Sequence, residues 1–190
     1  MTRTVGVVLA GGLSLRFGSP KAFAKLDNRY FYERATEALK AHCDEVIIVT
    51  RRELLECFPE GITAITDIID YKGLGPLAGI LSAMESVEAD RYIVLPCDMP
   101  YVDEAVIGKL LLQHEQRVTA VVVDGRQHPL VSIWDSRVKG NLQEALDNGQ
   151  LRVMPVLAKS GVRWIDGGLL TDDEKRVFTN VNTPGVLEGS

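Results

Sequence analysis

The pattern of apolar and polar positions divides the chain into alternating strand-like and helix-like segments. Residues 5–9 are almost continuously apolar, which is typical of a strand covered on both faces of a parallel sheet. Residues 30–42 place apolar side chains at roughly helical spacing, and residues 45–50 again have the pattern of a strand. The chain therefore begins with the strand, helix, strand order that builds α/β folds.

The same alternation continues beyond residue 50. Further helices are predicted at 53–58, 77–87, about 103–114, 137–146 and 153–158, and further strands at 62–66, 91–95, 118–124, 130–134, 162–165 and 177–180. Residues 125–129 have the composition of a turn between two of these strands. The repeated units predict an α/β three-layer sandwich, with a mostly parallel central sheet and helices on both faces.

Composition and charge limit the classes of protein to which the chain can belong. Its 190 residues, 46% of them hydrophobic, fit a single domain spanning 1–190, since no linker, repeat or low-complexity segment interrupts them. A formal net charge of −5 argues against a surface built mainly to bind nucleic acid. Cys43, Cys57 and Cys97 form no Cys-x-x-Cys pair, which predicts reduced, mostly structural thiols. With no secretory signal and no apolar run of membrane-spanning length, we expect a cytoplasmic protein.

A glycine-rich, basic loop follows the first predicted strand directly. Gly11 and Gly12 carry no Cβ, so the backbone N–H groups can approach an anion, while Arg16 and Lys21 supply positive charge. The loop lacks the Gly-Lys-Ser/Thr ending of a P-loop and the Gly-x-Gly spacing of a dinucleotide-binding turn. We interpret it as a phosphate-binding loop, the alternative being a glycine-rich surface turn with two solvated cations.

Two aspartates follow predicted strands at the same edge of the sheet as this loop. Asp67 comes after residues 62–66, and Asp98 follows the strand that leads into Cys97. Ligands of open α/β sheets bind beyond the carboxyl ends of the strands, where one or two carboxylates and phosphate oxygens can hold Mg²⁺. Asp98 is therefore a candidate Mg²⁺ ligand, or alternatively a helix cap or turn residue before Pro100. Asp67 could accept hydrogen bonds from a nucleotide base or sugar, or could belong only to a turn.

Four motifs, in order along nearly the whole chain, carry a resemblance to a known family. They are Leu9-Ala10-Gly11-Gly12-x-Ser14-x-Arg16-x-Gly18-x-x-Lys21, Gly75-Pro76-Leu77-Ala78-Gly79, Cys97-Asp98-Met99-Pro100 and Asn180-Val181-Asn182-Thr183-Pro184. The first resembles the signature loop of the nucleotidyltransferases that activate sugars, isoprenoid precursors and molybdopterin. The four together resemble the molybdenum cofactor guanylyltransferases, which implies a Rossmann-like, nucleotide-diphospho-sugar transferase-like fold.

The resemblance implies that the terminal phosphate of molybdopterin attacks the α-phosphorus of GTP and that diphosphate leaves. It implies Mg²⁺ as the cofactor, with Asp98 as its ligand, and requires no protein nucleophile. GTP contacts are implied for Leu9, Ala10, Gly11, Gly12, Lys21, Asp67 and Asp98. Lys21, Arg16 and Asp98 form the implied catalytic set, because nucleotidyl transfer depends on alignment and on neutralised charge.

The pterin side of the site has weaker sequence signals. Gly75 and Gly79 flank a predicted helix start whose free N–H groups could accept an anionic pterin phosphate, although a turn or close packing would also explain both glycines. Asn180 and Asn182 share one face of an extended segment, where their amides could hydrogen-bond the pterin. An Asx-type turn before Pro184 is the alternative.

Three residues outside the four motifs, Arg126, His128 and Arg152, could also contact this large anionic substrate. Solvated loop positions are the simpler interpretation of the two arginines. Two rival functions stay open: a related nucleotidyltransferase that uses CTP or a sugar phosphate, and a non-catalytic GTP-binding adaptor. The implied partners are GTP and molybdopterin, with transient contacts to other molybdenum cofactor biosynthesis proteins or apo-molybdoenzymes, and neither nucleic acid nor a membrane.

Overall fold

The computed structural model describes residues 1–14, 16–115 and 117–183. Its strands are β1 (Thr4–Ala10), β2 (Lys25–Leu26), β3 (Arg29–Tyr30), β4 (Glu45–Thr50), β5 (Thr63–Ile65), β6 (Arg91–Pro96), β7 (Val118–Val123), β8 (Arg126–Asp135) and β9 (Val162–Asp166). Its α-helices are α1 (Phe31–Lys40), α2 (Pro76–Ser86), α3 (Glu104–Leu112), α4 (Lys139–Asp147), α5 (Val153–Ser160) and α6 (Glu174–Val177). Short 3-10 helices cover Lys21–Phe23, Arg52–Cys57, Ile69–Tyr71, Ser136–Val138 and Gly167–Leu169.

The central sheet has seven strands in the order β5-β4-β1-β6-β8-β7-β9. Strands β5, β4, β1 and β6 are parallel, whereas β8 runs antiparallel to both β6 and β7. β7 and β9 are again parallel, so the predicted mostly parallel sheet is confirmed. Successive strands move outward from β1 to β4 and β5, and the chain then returns to place β6 on the other side of β1. That reversal creates a switch point, where open α/β sheets bind ligands.

Two apolar cores cover the two faces of the sheet, which confirms the predicted three-layer arrangement. Along β1, Val8 and Ala10 belong to the core that contains α1 and α3, while Val5 and Val7 belong to the core that contains α2, α4 and α5. Alternate residues of a strand point to opposite faces, so a strand buried on both sides must be apolar throughout. This explains the continuous apolar run of the first strand.

Two of the helices begin at residues that are typical of helix N-termini. Pro76 is the first residue of α2, where its missing N–H costs no hydrogen bond, and Gly75 before it has φ of 84°. Asp103 caps α3, because its side-chain oxygen accepts a hydrogen bond from the Val106 backbone N–H at 3.0 Å. Among the described residues, no helix combines the length and apolar character needed to cross a membrane.

Three sequence predictions need correction. Residues 177–180 do not form a strand: α6 ends at Val177, and the next three residues are irregular. The turn predicted at 125–129 is confined to Asp124 and Gly125, with φ of 48° and 76°, and β8 begins at Arg126. Both φ values belong to the tight Asp-Gly turn that joins antiparallel strands. The helix predicted at 53–58 is a 3-10 helix, Arg52–Cys57.

Gly6 in the middle of β1 is expected to be intolerant of a side chain. A Cβ added there would lie 3.1 Å from Leu39 Cβ and 3.2 Å from Cys43 Sγ, because α1 packs closely on this strand. We expect Gly6→Ala to lower the free energy of unfolding by about 1–3 kcal/mol, measured by urea denaturation.

Gly140→Ala is the matched control. A Cβ at Gly140, in α4, meets no atom within 4 Å, so alanine should leave stability unchanged or raise it by about 0.5–1 kcal/mol. Equal stability of the Gly6→Ala protein and the wild type would contradict the close packing of α1 on β1.

Candidate functional site

Two adjoining cavities lie at the carboxyl ends of β1, β4, β5 and β6. The larger, about 850 Å³, is lined by ten of the predicted site residues: Leu9, Ala10, Gly11, Gly12, Lys21, Asp67, Gly75, Gly79, Asp98 and Asn180. The smaller, about 320 Å³, is lined by Leu13, Ser14, Arg16, Lys21 and Asn182. The two cavities share Leu13, Ser14 and Lys21, so the predicted residues that line them lie around adjoining spaces, whereas Arg152 lines neither cavity.

The loop after β1 is folded around Ser14. The Ser14 carbonyl accepts hydrogen bonds from the backbone N–H groups of Phe17 and Gly18, at 3.0 and 3.2 Å. The Ser14 hydroxyl accepts a hydrogen bond from the Lys21 backbone N–H at 3.2 Å. These contacts turn the chain back, so that Lys21 stands beside the end of β1 on which the loop began.

Lys21 and Asp98 form an ion pair at the centre of the site. Lys21 Nζ lies 3.1 Å from Asp98 Oδ2, and the two side chains are only 16% and 19% exposed. Lys21 Nζ also donates to Asn182 Oδ1 at 2.7 Å, while Asn180 Nδ2 donates to Asp98 Oδ1 at 3.1 Å. The Val181 backbone N–H donates to the Asp98 carbonyl at 2.8 Å, which fixes the segment carrying both asparagines.

This network changes the interpretation of three predicted residues. Asn180 and Asn182 do share one face, and in this structure that face holds Asp98 and Lys21. Their hydrogen bonds reach across the fold, which does not correspond to an Asx-type turn; Pro184, on which that alternative rested, lies outside the described residues. Asp98 does not cap α3, because Asp103 does, but it does lie in the turn that follows β6, as the other alternative expected.

The charges of this network suit a phosphate and a divalent cation. Both carboxylate oxygens of Asp98 accept hydrogen bonds from side-chain donors, Lys21 and Asn180. A bound phosphate would attract Lys21 Nζ, and Asp98 would then need a new cation. Within the described residues, no group of three or more His, Cys, Asp and Glu side chains could hold a metal by itself. A site that pairs one carboxylate with substrate phosphates is the arrangement typical of Mg²⁺, and Asp98 fits it.

Asp67 follows β5, so it lies on the other side of β1 from Asp98. Its Oδ2 accepts a hydrogen bond from the Gly73 backbone N–H at 3.0 Å. Half-burial raises the pKa of the Asp67 carboxyl, and the Gly73 hydrogen bond opposes that rise. A carboxylate that has lost part of its hydration gains from further N–H or O–H donors, so it is suited to accept hydrogen bonds from a base or sugar.

Gly75 and Gly79 have structural reasons to be glycine. Gly75 adopts a positive φ that other residues rarely take. A Cβ on Gly79 would lie 3.1 Å from Leu9 Cδ2 and 3.9 Å from Asp67 Oδ1, so glycine lets α2 pack on β1 beside the cavity. These observations account for the turn and the packing; contact with a pterin stays a prediction for both.

Arg51 has a feature that the sequence pattern did not identify. It follows β4 directly and lines the larger cavity. Its Nε is fully buried and has no hydrogen-bond partner in the part of the chain that the structure describes. A buried guanidinium N–H without a partner costs free energy unless a ligand accepts its hydrogen bond. The sequence signal was only the position of Arg51 after a predicted strand, which does not distinguish it from a solvated residue.

Comparisons with known proteins agree with this geometry. The model of the MobA-like NTP transferase domain matches residues 6–162. A protein from Geobacillus sp. (strain WCH70), named "Probable molybdenum cofactor guanylyltransferase", is 40% identical over 99% of this chain and 98% of its own length. A protein of the same name from Bacillus cereus (strain AH820) is 36% identical over 96% of this chain and 93% of its own length.

Two solved structures share the fold. Molybdopterin-guanine dinucleotide biosynthesis protein A from Archaeoglobus fulgidus has a TM-score of 0.80 at 24% identity, covering 97% of this chain and 95% of its own. CMP:2-keto-3-deoxy-manno-octonic acid synthetase, solved with CTP, has a TM-score of 0.72 at 18% identity, covering 99% and 96%. The predicted nucleotide-diphospho-sugar transferase-like fold is thereby confirmed.

The three thiols should differ sharply in reactivity. Burial raises the pKa of Cys97 to about 12, with a further contribution from the neighbouring Asp98 carboxylate, and burial likewise raises that of Cys43 to about 12. At pH 8 roughly one such thiol in ten thousand is the reactive thiolate, whereas Cys57 is exposed. We expect a disulfide reagent such as Ellman's reagent to modify the Cys57 thiol quickly and the other two thiols slowly.

Cys57→Ser should remove the fast phase, and unfolding in urea should make all three wild-type thiols reactive. A second fast thiol in the folded wild type would show that Cys43 or Cys97 is accessible.

Proposed function

The chain belongs to the MobA-like NTP transferase family, and on that basis we propose that it transfers GMP from GTP to molybdopterin, with release of diphosphate and formation of molybdopterin guanine dinucleotide. The observation that carries this proposal is the Lys21–Asp98 pair, which joins the loop after β1 to the end of β6. A lysine can offset the charge of phosphate oxygens, and a carboxylate beside it can hold a divalent cation that does the same.

The reaction needs no nucleophile from the protein. An oxygen of the terminal phosphate of molybdopterin forms a bond to the α-phosphorus of GTP, and the bond from that phosphorus to the β-phosphate oxygen breaks. The electron pair leaves with diphosphate, so the charge that develops lies on phosphate oxygens. The protein must therefore align two anions and offset their repulsion, which fits a site with cationic side chains and a carboxylate.

Each member of the network has a role in this scheme. Backbone groups of residues 9–12 contact the nucleotide, Lys21 pairs with its phosphates, and Arg16 reaches the departing diphosphate from the smaller cavity. Asp98 would hold Mg²⁺ together with phosphate oxygens, and the ion would supply positive charge to the phosphates. Asn180 and Asn182 position Asp98 and Lys21 through their side-chain hydrogen bonds.

Arg51 and Asp67 are the candidate groups for recognising the nucleoside. Guanine presents two adjacent acceptors, O6 and N7, together with an N2 amino donor. The guanidinium of Arg51, whose Nε has no partner among the described residues, matches the acceptor pair. Asp67 can accept from an amino group or a ribose hydroxyl. Cytosine lacks the O6 and N7 pair, so an arginine at this place favours guanine.

The fold by itself leaves the choice of nucleotide open. The synthetase solved with CTP shares it, which is why a cytidylyltransferase or a sugar-phosphate nucleotidyltransferase is the rival enzyme. The curated relatives and the chemistry of Arg51 favour GTP. A GTP-binding adaptor is the other rival, and it would have no need of Lys21 and Asp98 in one network.

The proposal also includes the protein partners of this reaction and its location in the cell. Transient contacts with other molybdenum cofactor biosynthesis proteins or apo-molybdoenzymes fit this function, since the acceptor and the product must pass between proteins. A cytoplasmic location belongs to the same proposal, since GTP is the donor.

Purified wild-type protein with GTP, MgCl₂ and molybdopterin should release diphosphate and form the guanine dinucleotide, and chelation of Mg²⁺ should stop both. Asp98→Asn keeps the shape of the side chain but removes its charge, so we expect turnover to fall by at least about 100-fold. The measurement is diphosphate release with chromatography of the dinucleotide, alongside thermal melting to check the fold.

Asp124→Asn is the control for the aspartate change. Asp124 lies in the exposed hairpin turn, where asparagine also tolerates a positive φ, and turnover should match the wild type. Folded wild type that binds GTP without making product would favour the adaptor, and efficient use of CTP would favour the rival transferase.

Arg51→Ala should weaken GTP binding by about 10- to 100-fold and reduce the preference for GTP over CTP, because a bidentate base contact is worth about 1–3 kcal/mol. Calorimetric titration with each nucleotide measures both quantities. Arg137→Ala, which removes an exposed arginine paired with Asp135, is the control and should change neither. An unchanged GTP to CTP ratio in Arg51→Ala would remove Arg51 from base recognition.

A further inference from the structure

Strand β8 interrupts its pairing with β7 next to the larger cavity. Ala120 pairs with Ser132, but the next residue, Val121, pairs with His128, so residues 129–131 form an irregularity in the ladder. Pro129 within this segment has no N–H to give to the sheet. Irregularities of this kind redirect side chains and occur often beside active sites. Here they bring His128, Pro129 and Leu130 to the wall of the cavity.

His128 is a buried polar side chain that makes no side-chain hydrogen bond with any described residue. It is only 5% exposed, and its ring lies at 5.8 Å and 38° from the ring of Phe178. The other two histidines each make a hydrogen bond, His42 to the Glu104 carbonyl and His114 to Thr119 Oγ1. Among the described residues, His128 has no hydrogen-bond partner, and it faces the cavity. An imidazole that lines a cavity and has no hydrogen-bond partner among the described residues is available to hydrogen-bond a ligand.

The surroundings of His128 favour the neutral form of its imidazole. Burial lowers its pKa, and the nearby positive charge of Arg126 lowers the pKa further. A neutral imidazole has one N–H donor and one acceptor nitrogen. Arg126 itself is exposed, lines the same cavity and forms no ion pair with any described residue. The wall therefore offers a neutral donor and an available positive charge.

The order of the strands indicates which substrate meets this wall. Asp67 follows β5 and Arg51 follows β4, on one side of β1, while Lys21 and Asp98 lie between the ends of β1 and β6. β8 is the next strand beyond β6. If the nucleoside occupies the β4 and β5 side and the α-phosphate lies near Asp98, the β8 side is left for the attacking group. A nucleophile must approach within about 3–3.5 Å of the phosphorus.

His128 is also linked to the reaction centre through the chain that follows α6. Phe178 packs against its ring, and two residues later Asn180 donates to Asp98. The same short segment thus touches the β8 wall and the Mg²⁺-binding carboxylate.

We propose that His128 and Arg126 form the acceptor-phosphate subsite, in which a ring N–H of His128 donates to an oxygen of the acceptor's terminal phosphate and Arg126 offsets its charge. The inference rests on the proposed function, because it assigns the second substrate of the same reaction. The ligand class is an organic phosphate monoester, and the nucleoside triphosphate is bound elsewhere.

The test separates the two substrates kinetically. His128→Phe keeps a ring against Phe178 but removes the donor, so the KM for molybdopterin at saturating GTP should rise by about 10- to 100-fold. The dissociation constant of GTP, measured by calorimetry without acceptor, should stay within about 2-fold of the wild type. His128→Gln, which restores an N–H donor, should recover much of the lost acceptor affinity.

Arg126→Gln should likewise raise the acceptor KM without changing GTP binding. Arg163→Gln, which changes an exposed arginine of β9 paired with Glu115, is the control and should leave both constants unchanged. An unchanged acceptor KM in His128→Phe, or an equal loss of GTP affinity, would overturn the subsite while leaving the guanylyltransferase proposal intact. Wild type that makes no dinucleotide would overturn both, so the two failures can be told apart.

Discussion

The site depends on the ion pair between Lys21 and Asp98. The pair connects residues 77 positions apart, one on the loop after β1 and one after β6, the two strands at the switch point of the sheet. Neither side chain is largely exposed, so the two charges stabilise each other where water screens them little. Asn180 and Asn182 complete the network from a third part of the chain. The strand order, the folded loop and this late segment are all needed to place one lysine beside one carboxylate.

Much of the fold could be predicted because apolar periodicity and strand order are local or general properties. The continuous apolar pattern of β1 identified a central strand, and the rule that strand ends share an edge placed Asp67 and Asp98 near the basic loop. Residues 177–180 were predicted wrongly because their β-branched and aromatic character favours a strand, whereas Phe178 is used to pack on His128. The hydrogen bonds of Asn180 and Asn182, and the unpartnered Nε of Arg51, depend on distant contacts that no local pattern records.

The different chemical tasks of the cavity are distributed across the sheet in strand order. Groups suited to a nucleoside follow β5 and β4, groups suited to phosphate follow β1 and β6, and the bulged part of β8 adds a neutral donor and a positive charge. The backbone fixes these positions, and a few side chains decide which molecules fit them. The fold is shared with a synthetase solved with CTP, so the choice of base must depend on side chains, and we propose Arg51 as one of them.

The position of Asn180 and Asn182 in the chain has a consequence for biosynthesis. Every strand of the seven-stranded sheet precedes Asn180, so the pairing of the strands does not require either asparagine. Lys21 and Asp98, in contrast, are oriented by amides that are among the last described residues to be synthesised. A chain that ends before Asn180 would keep every strand of the sheet and lack the groups that order its reaction centre.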